Sequence, residues 1–349
     1  MTVYVAVDFH AREQTIRYCD TADGEIHRAK LRHQHDDVRK FYEQFQGEVI
    51  VGFEASGYSA WFEQMLAELG HTIWLGNPAE IRRKAPRRQK NDDRDADLML
   101  DLLLKGDFPR VYNFSEESRT VLRQLRYRHK LVKVRTIAKN SLHAIGINAG
   151  LPLKRRLLTQ TGIEKLQALS LSPVLTQHRD EWLQLMELMN QRIARVEAAL
   201  EQRARGDTAV ALLQTHPGIG LLTSLGLRYT LDPISRFSTT RQATAYVGLD
   251  CVEDTSSERR RMGSISKAGS KLLRFLLNEA GQTAARRDPE LKQFYKRLRH
   301  RRDKPKAKVA VARKLLVRCF IMLRDQIDYA EFVRRGVAAR AARETHSPK

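Results

Sequence analysis

The chain has few cysteines and no long apolar run, and each shortage excludes a class of protein. Cys19, Cys251 and Cys319 lie far apart with no Cys-x-x-Cys spacing. This pattern argues against a zinc site and a disulfide framework, and it fits a reducing cytoplasm. No apolar stretch approaches the ~20 residues that cross a bilayer, and the first ten residues carry no secretory signal. We therefore expect a cytoplasmic protein, associated with the nucleoid in a bacterium, that has no membrane partner.

Acidic residues are also scarce, because 41 Asp and Glu stand against 62 Lys and Arg, which gives a formal net charge of +21. Such an excess points to a polyanionic partner, and nucleic acid leads because neutralising phosphates releases counterions. A merely basic soluble protein is the alternative. With 349 residues, 42% of them hydrophobic, the chain is long enough for two or three domains with real cores.

One segment is acidic, in contrast to the positive charge of the whole chain. In QKNDDRDADLML, residues 89–100, four aspartates crowd into six residues, directly after a strongly basic stretch. The pattern predicts a helix that begins at Asn91 or Asp92. On that helix Asp92 and Asp95 share one face, and Asp93 and Asp97 share another.

Before this segment, apolar runs alternate with amphipathic helices, which predicts an α/β layer fold. Strands are expected at residues 2–7, 14–18, 48–53 and 72–75, and helices at 36–45 and 60–69. Asp8 and Glu54 follow two of these strands, where open α/β sheets place their chemistry. Either acid alone is explained as a cap of the following turn.

The four carboxylates of Asp8, Glu54, Asp92 and Asp95 would repel one another in one cleft unless a cation lay between them. Oxygen ligands with no His or Cys nearby select Mg²⁺ or Mn²⁺. Two such ions are a common device for phosphodiester chemistry. The spacing therefore predicts a metal-dependent nucleic-acid enzyme.

Three motifs carry a family resemblance: VAVDFH around Asp8, VGFEASGY around Glu54, and GNPAEIRRKAPRRQKNDDRDA, which contains Asp92 and Asp95. They resemble the DEDD transposases of the IS110 insertion-sequence type, whose relatives include Piv-type DNA invertases. The resemblance implies an RNase H-like, RuvC-like N-terminal domain in which these four acids are catalytic and bind metal. Lys90-Asn91-Asp92 departs mildly from the usual Lys-Thr-Asp and keeps the carboxylate.

The resemblance continues to about residue 325. The motifs are RFS at 236–238, AYVGL at 245–249, Gly263, ISKAG at 265–269 and LLR at 272–274. It aligns the serine nucleophile of the family with Ser256, in a short loop. The Gly that normally follows is Ser257 here, which leaves Ser257 and Thr255 as competing hydroxyls.

Between these regions the chain is helical and basic from about residue 115 to 143, and a second helix is expected over 179–203. Met186, Met189, Ile193, Val196 and Leu200 form a heptad seam on the second helix, typical of an intramolecular hairpin or a dimer coiled coil. The resemblance favours the coiled coil in a homo-oligomer, a dimer or tetramer. Residues 213–224, with Pro-Gly-Ile-Gly, have the shape of a helix-hairpin-helix that binds phosphate or packs on a partner helix.

A set of basic and glycine residues is predicted to contact nucleic acid, although a solvated helix face explains any one of them. The set is Arg83, Arg87, Arg88, Arg123, Arg126, Lys130, Gly218, Gly220, Arg259, Arg260, Arg261 and Lys267.

The expected organisation is a RuvC-like domain (1–112), a basic helical and coiled-coil region (113–206), a mainly α transposase domain (207–330) and a disordered basic tail (331–349). The resemblance implies a phosphoserine intermediate on donor and target DNA, and guidance by a structured non-coding RNA. A metal-dependent structure-selective nuclease and a catalytically dead transposon relic are the alternatives.

Overall fold

The computed structural model describes residues 1–85, 92–151, 156–256, 259–301 and 303–345, and it leaves the side chains of residues 35, 254–256, 259–262 and 340–345 undescribed. The chain divides into an N-terminal unit, Met1–Asn113, and a C-terminal unit, Phe114–Lys349. The boundary expected after residue 112 lies beside this division, and the one after residue 206 falls inside the C-terminal unit. Among the helices so described, none combines the length and apolarity that crossing a bilayer requires.

The N-terminal unit contains a five-stranded mixed sheet in the order β3-β2-β1-β4-β5. The strands are β1 Thr2–Phe9, β2 Glu13–Asp20, β3 Ile26–Arg32, β4 Glu48–Glu54 and β5 Thr72–Gly76. β2 runs antiparallel to β1 and β3, while β4 is parallel to both β1 and β5. The sheet is consistent with the RNase H-like fold that the resemblance implies.

Helices cover both faces of this sheet. Successive side chains of a strand point to opposite faces, so each strand contributes apolar residues to both layers. They are α1 His35–Glu43, α2 Ala60–Glu68, α3 Pro78–Lys84 and α4 Asp92–Leu104. Val5 and Val51 belong to the core that contains residues of α1 and α2. Ala6 and Ile50 belong to the core that contains residues of α3 and α4. By the same alternation, Asp8 and Glu54 lie on the α4 side.

The C-terminal unit is mainly helical, as predicted, and its described residues include a β-hairpin. Its elements are α5 Glu116–Asn148, α6 Gln160–Gln167, α7 Pro173–Ala204, α8 Thr208–Gln214, α9 Leu221–Thr230, α10 Thr240–Val247, β6 Cys251–Ser256, β7 Arg259–Ile265, α11 Lys271–Arg287, α12 Pro289–Arg301, α13 Lys304–Asp325 and α14 Tyr329–Thr345. The two longest helices begin at serine N-caps, since the side chains of Ser115 and Ser172 accept hydrogen bonds from backbone amides of the first turn.

The heptad seam of α7 is buried within the chain, so the predicted dimer coiled coil is wrong. Met189 and Ile193 pack with Leu131 of α5. Further along the seam, Leu200 belongs to a cluster that contains Leu122. An intramolecular hairpin and an intermolecular coiled coil have the same apolar spacing, and here α5 supplies the partner surface.

Two further expectations for the C-terminal unit need correction. Residues 331–345, predicted to be a disordered tail, lie in α14, whereas residues 346–349 fall outside the described residues. The predicted serine-bearing loop is instead the β6–β7 hairpin, in which Ser256 is the last residue of β6 and pairs with Arg259 of β7.

A buried polar network joins α12, α13 and α14 in this unit. Arg318 Nη1 donates a hydrogen bond of 2.7 Å to Asp288, and Tyr329 donates its hydroxyl to the same carboxylate. His216, 1% exposed, lies edge-on against Tyr329. Burial lowers the pKa of His216 to about 4, and the positive charge of Arg318 contributes, although the contact with the Pro217 carbonyl acts in the opposite direction.

We expect His216 to make the C-terminal unit less stable in mild acid. Its folded pKa lies below the unfolded value of 6.5, so below pH 6.5 the unfolded chain binds a proton that the folded chain excludes until about pH 4. The resulting loss reaches about 2 kcal/mol by about pH 5. Urea unfolding at about pH 7 and pH 5 measures it. His216→Phe should remove this part of the pH dependence, and an unchanged slope would contradict the assignment.

Candidate active site

Asp8 and Glu54 end neighbouring parallel strands at one edge of the N-terminal sheet. The β1–β4 register pairs Val7 with Phe53, and Asp8 and Glu54 are the next residue on each strand. The prediction that two strand-end carboxylates lie together is therefore supported at the level of the backbone.

The N-terminus of α4 brings a third carboxylate to this edge. His10 Nε2 lies 3.1 Å from Asp8 Oδ2 and 3.6 Å from Asp92 Oδ1. Ligand atoms of these three residues all lie within 4.8 Å of one another. Asp8 is buried and Asp92 is partly exposed, so the cluster opens to solvent on the α4 side.

The Asp8 carboxyl has a pKa above its ordinary value. Burial is the largest cause that raises its pKa, and the negative charges of Asp92 and Asp95 raise it further, whereas His10 acts in the opposite direction. Asp95 thus lies near enough to act on Asp8. Among the described residues, Glu54 joins no group of three or more ligand atoms within 4.8 Å, although it shares the sheet edge.

His10 corrects the expectation that no histidine lies near the carboxylates. His10 lies within VAVDFH and has no role in the sequence prediction, although its position two residues after a strand-end aspartate was the available signal. Oxygen ligands at 2.0–2.1 Å and right angles around an ion are about 3 Å apart, close to the distances from His10 to the two carboxylates. The residues therefore fit a divalent cation, and the imidazole suits Mn²⁺ better than Mg²⁺.

A buried arginine explains the two remaining aspartates of the cluster. Arg17, on β2, is 2% exposed. Its Nη2 donates a 2.6 Å hydrogen bond to Asp93, and its Nε donates another of 2.6 Å to Asp97. These bonds fix the other face of α4, as the four-residue spacing of the two acids predicts. Sequence reasoning did not identify Arg17.

Ser256 lies in the C-terminal unit, as the last residue of β6, and pairs with Arg259 of β7. Ser257 lies outside the described residues, and the side chains of Thr255 and Ser256 are not described. The backbone register pairs Thr255 with Arg260, and Asp254 with Arg261, so the serine-bearing strand runs directly beside the basic one.

Comparison with known proteins decides the family. Residues 5–145 match the model of the IS110-type DEDD transposases, and residues 210–296 match the family described as Transposase IS116/IS110/IS902. The chain belongs to the IS110-type transposases. The first match contains Asp8, Glu54, Asp92 and Asp95, and the second contains Ser256. The enzyme is therefore a transposase, and the family supports the use of a divalent metal.

Individual relatives cover most of the transposase. A probable family 20 transposase of Pseudomonas aeruginosa is 28% identical over 71% of this chain and 75% of its own length. The transposase for insertion sequence element IS1111A of Coxiella burnetii is 26% identical over 80% of this chain and 79% of its own. The transposase for insertion sequence element IS1328 of Yersinia enterocolitica is 25% identical over 68% and 71%, respectively.

The predicted nucleic-acid residues of the transposase lie on several elements. Arg83 on α3, Arg123, Arg126 and Lys130 on α5, and Lys267 after β7 are exposed. Arg87 and Arg88 lie outside the described residues, and the side chains of residues 259–261 are not described. Their contact with nucleic acid stays a prediction.

Pro-Gly-Ile-Gly joins α8 to α9, and its first glycine packs on a helix. Gly218 has φ +99°, and a Cβ there would lie 2.6 Å from the Ala284 amide nitrogen of α11. This favours the partner-helix alternative at Gly218. Gly220, at the N-cap of α9, has open space around it and stays a predicted phosphate contact.

We expect Arg17→Met to weaken metal binding without touching the ligands. The guanidinium fixes α4 through Asp93 and Asp97, and loss of such a supporting contact typically costs 10–100-fold in metal affinity. Mn²⁺ titration followed by electron paramagnetic resonance measures the change. Arg39→Met is the matched control, because Arg39 on α1 is exposed and also pairs with two carboxylates, Glu43 and Glu68. Equal affinity in the two variants would refute a positioning role for Arg17.

Proposed function

We propose that the transposase cuts and rejoins DNA through a covalent phosphoserine bond on Ser256, with Asp8, Glu54, Asp92 and Asp95 as the metal-binding carboxylates. The observation that carries this proposal is the Asp8–His10–Asp92 cluster at the strand ends. Its geometry supports a divalent ion, and the second family match contains Ser256.

In the proposed step, the Ser256 oxygen attacks the scissile phosphorus and forms a serine–phosphate ester. The bond from phosphorus to the 3′ oxygen breaks, and that oxygen takes up a proton to give a free 3′ hydroxyl. A serine hydroxyl is a weak nucleophile and needs a base or a metal to activate it. Rejoining reverses the step, because the 3′ hydroxyl of another strand displaces serine from phosphorus.

When bound, a divalent cation polarises the phosphate and neutralises the charge that develops on it. Asp8 and Asp92 would hold it with His10, and Glu54 and Asp95 would complete the acidic edge. Arg17 keeps α4 in place by binding Asp93 and Asp97. We propose Mg²⁺ or Mn²⁺ as the ion, with His10 increasing the preference for Mn²⁺.

We further propose that a structured non-coding RNA selects the donor and target DNA and that the enzyme acts as a homo-oligomer. The net charge of +21 supports extensive backbone contact. Guidance by base pairing would leave the protein to recognise shape and phosphates.

A covalent-adduct assay tests the proposal. The full chain, with any RNA that co-purifies, is incubated with labelled donor and target DNA and Mg²⁺ or Mn²⁺. A denaturing gel then separates a protein–DNA adduct from free cut DNA. The proposal predicts an adduct that needs the metal, and treatment with ribonuclease beforehand should prevent its formation. Free cut DNA without adduct would instead support a nuclease that uses the carboxylates alone.

A further inference from the structure

Three adjoining cavities form a groove along α11 and α13 in the C-terminal unit. The first has a volume of about 500 Å³, the middle one about 420 Å³ and the last about 430 Å³. Asn278 and Val309 line both the first and the middle cavity, while Lys304 and Lys308 line both the middle and the last. We call this the α11–α13 groove. Along α11 it extends from Lys271 to Arg286, about 22 Å at the rise of a helix.

Cations line the groove from end to end. They are Lys267, Lys271, Arg274, Arg286, Lys304 and Lys308, whereas Glu279 is the single carboxylate among the lining residues described. This imbalance matches a ligand that carries several negative charges.

Ion pairing with carboxylates distinguishes the lysines of α13 outside the groove from those that line it. Outside the groove, Lys306 lies 3.1 Å from Asp303, and Lys314 lies 2.9 Å from Glu290. Within the part of the chain that the structure describes, no carboxylate lies within ion-pair distance of Lys304 or Lys308. The groove lysines are therefore available to an external anion.

Aromatic rings line both ends of the groove. Phe275, 44% exposed, borders the first cavity and touches the His129 ring, with ring centres 4.8 Å apart. Tyr295 borders the last cavity. Tyr295 is partly buried against the core, so Phe275 is the exposed ring of the two. An exposed ring among cations is typical of a surface for unpaired nucleic acid, since a base stacks on the ring while phosphates contact the lysines.

Strained backbone at the first cavity also points to a function. Lys267 has φ +57°, in the left-handed region that is unfavourable for lysine. The loop that contains Lys267 is fixed by the close packing of Gly269 on α10. A Cβ added to Gly269 would lie 1.9 Å from the Tyr246 carbonyl oxygen. Such strain tends to persist at binding sites.

We propose that the α11–α13 groove binds an unpaired segment of the DNA strand next to the cut. Ile265 lines the first cavity and pairs with Cys251 at the base of the β6–β7 hairpin. Ser256 lies five residues further along β6, about 17 Å at the rise of a strand. The choice of DNA over RNA rests on the proposed serine chemistry, whereas the binding of an unpaired strand does not.

Fluorescence anisotropy with the full chain tests this proposal in the Ser256→Ala background without metal, so a failure of catalysis does not affect the result. The probes are a labelled single-stranded DNA, its duplex, the same sequence in RNA and an abasic strand. Phe275→Ala should weaken binding of the single strand by about 5- to 150-fold, because stacking contributes about 1–3 kcal/mol per base. The abasic strand should bind Phe275→Ala and its parent equally.

The lysines are tested by salt dependence. Lys304→Ala with Lys308→Ala should lower the slope of log K against log salt by about 1.4, because each phosphate contact on a single strand contributes about 0.7. Lys292→Ala with Lys296→Ala, exposed on α12 outside the groove, removes the same charge and should leave the slope unchanged. Equal salt slopes in the two double variants would overturn the proposal. So would groove variants that lose as much affinity for the duplex as for the single strand. A preference for the RNA probe would overturn the assignment to DNA.

Discussion

Ser256→Ala is expected to abolish the covalent protein–DNA adduct, whereas Ser257→Ala and Thr255→Ala should retain it. The variant lacks the only oxygen that the proposed mechanism joins to phosphorus, so the loss should be complete and not graded. Ser256 ends β6 opposite Arg259, in an antiparallel register that is regular from Glu253 to Ser256, so the residue occupies a defined backbone position. The measurement is the adduct band on a denaturing gel.

The neighbouring variants make this result specific. Ser257 replaces the glycine that the family resemblance leads us to expect, and it competes for the role of nucleophile. If Ser257→Ala loses the adduct and Ser256→Ala keeps it, the nucleophile is assigned to the wrong serine. If Ser256→Ala cuts DNA as fast as the parent enzyme and leaves free ends, the carboxylates act as a nuclease and the serine chemistry fails altogether.

The apolar strands of the N-terminal unit could be predicted because a short run of apolar residues is typical of a buried strand. β1, β4 and β5 were expected at nearly their observed bounds. β3, Ile26–Arg32, was missed because it is an edge strand in which partly buried residues alternate with exposed ones. Its basic side chains resemble a loop in composition, and its pairing with β2 depends on tertiary contact.

The sequence predicts four acids for the candidate site, and the structure brings Asp8 and Asp92 together, but the residues that organise them could not be predicted. Arg17 interrupts the apolar run of β2, and a buried arginine requires a carboxylate partner. Its partners, Asp93 and Asp97, lie more than seventy residues away along the chain. The prediction of a dimer coiled coil on α7 failed for a related reason. Periodicity identifies a buried face without identifying what covers it.

Asp8→Asn is expected to stop DNA cleavage and, in the absence of metal, to make the N-terminal unit more stable. The buried Asp8 carboxylate has a raised pKa because burial, and then Asp92 and Asp95, disfavour its charge. An amide of the same shape removes that cost and still accepts the hydrogen bond from His10. Melting should shift upward by about 4 °C for each kcal/mol relieved in a unit of this size. Loss of activity through unfolding would shift it downward.

Adding metal should reverse the order of stability. A ligand that binds only the folded state at 100 times its Kd stabilises it by about 2.7 kcal/mol, so Mn²⁺ should raise the melting temperature of the parent enzyme and barely move that of Asp8→Asn. Asp36→Asn, an exposed acid on α1, is the matched control and should respond to Mn²⁺ like the parent. An equal response to Mn²⁺ in Asp8→Asn would mean that the ion binds elsewhere. The opposite signs follow from one cause, because the acids that repel one another without metal are the proposed metal ligands.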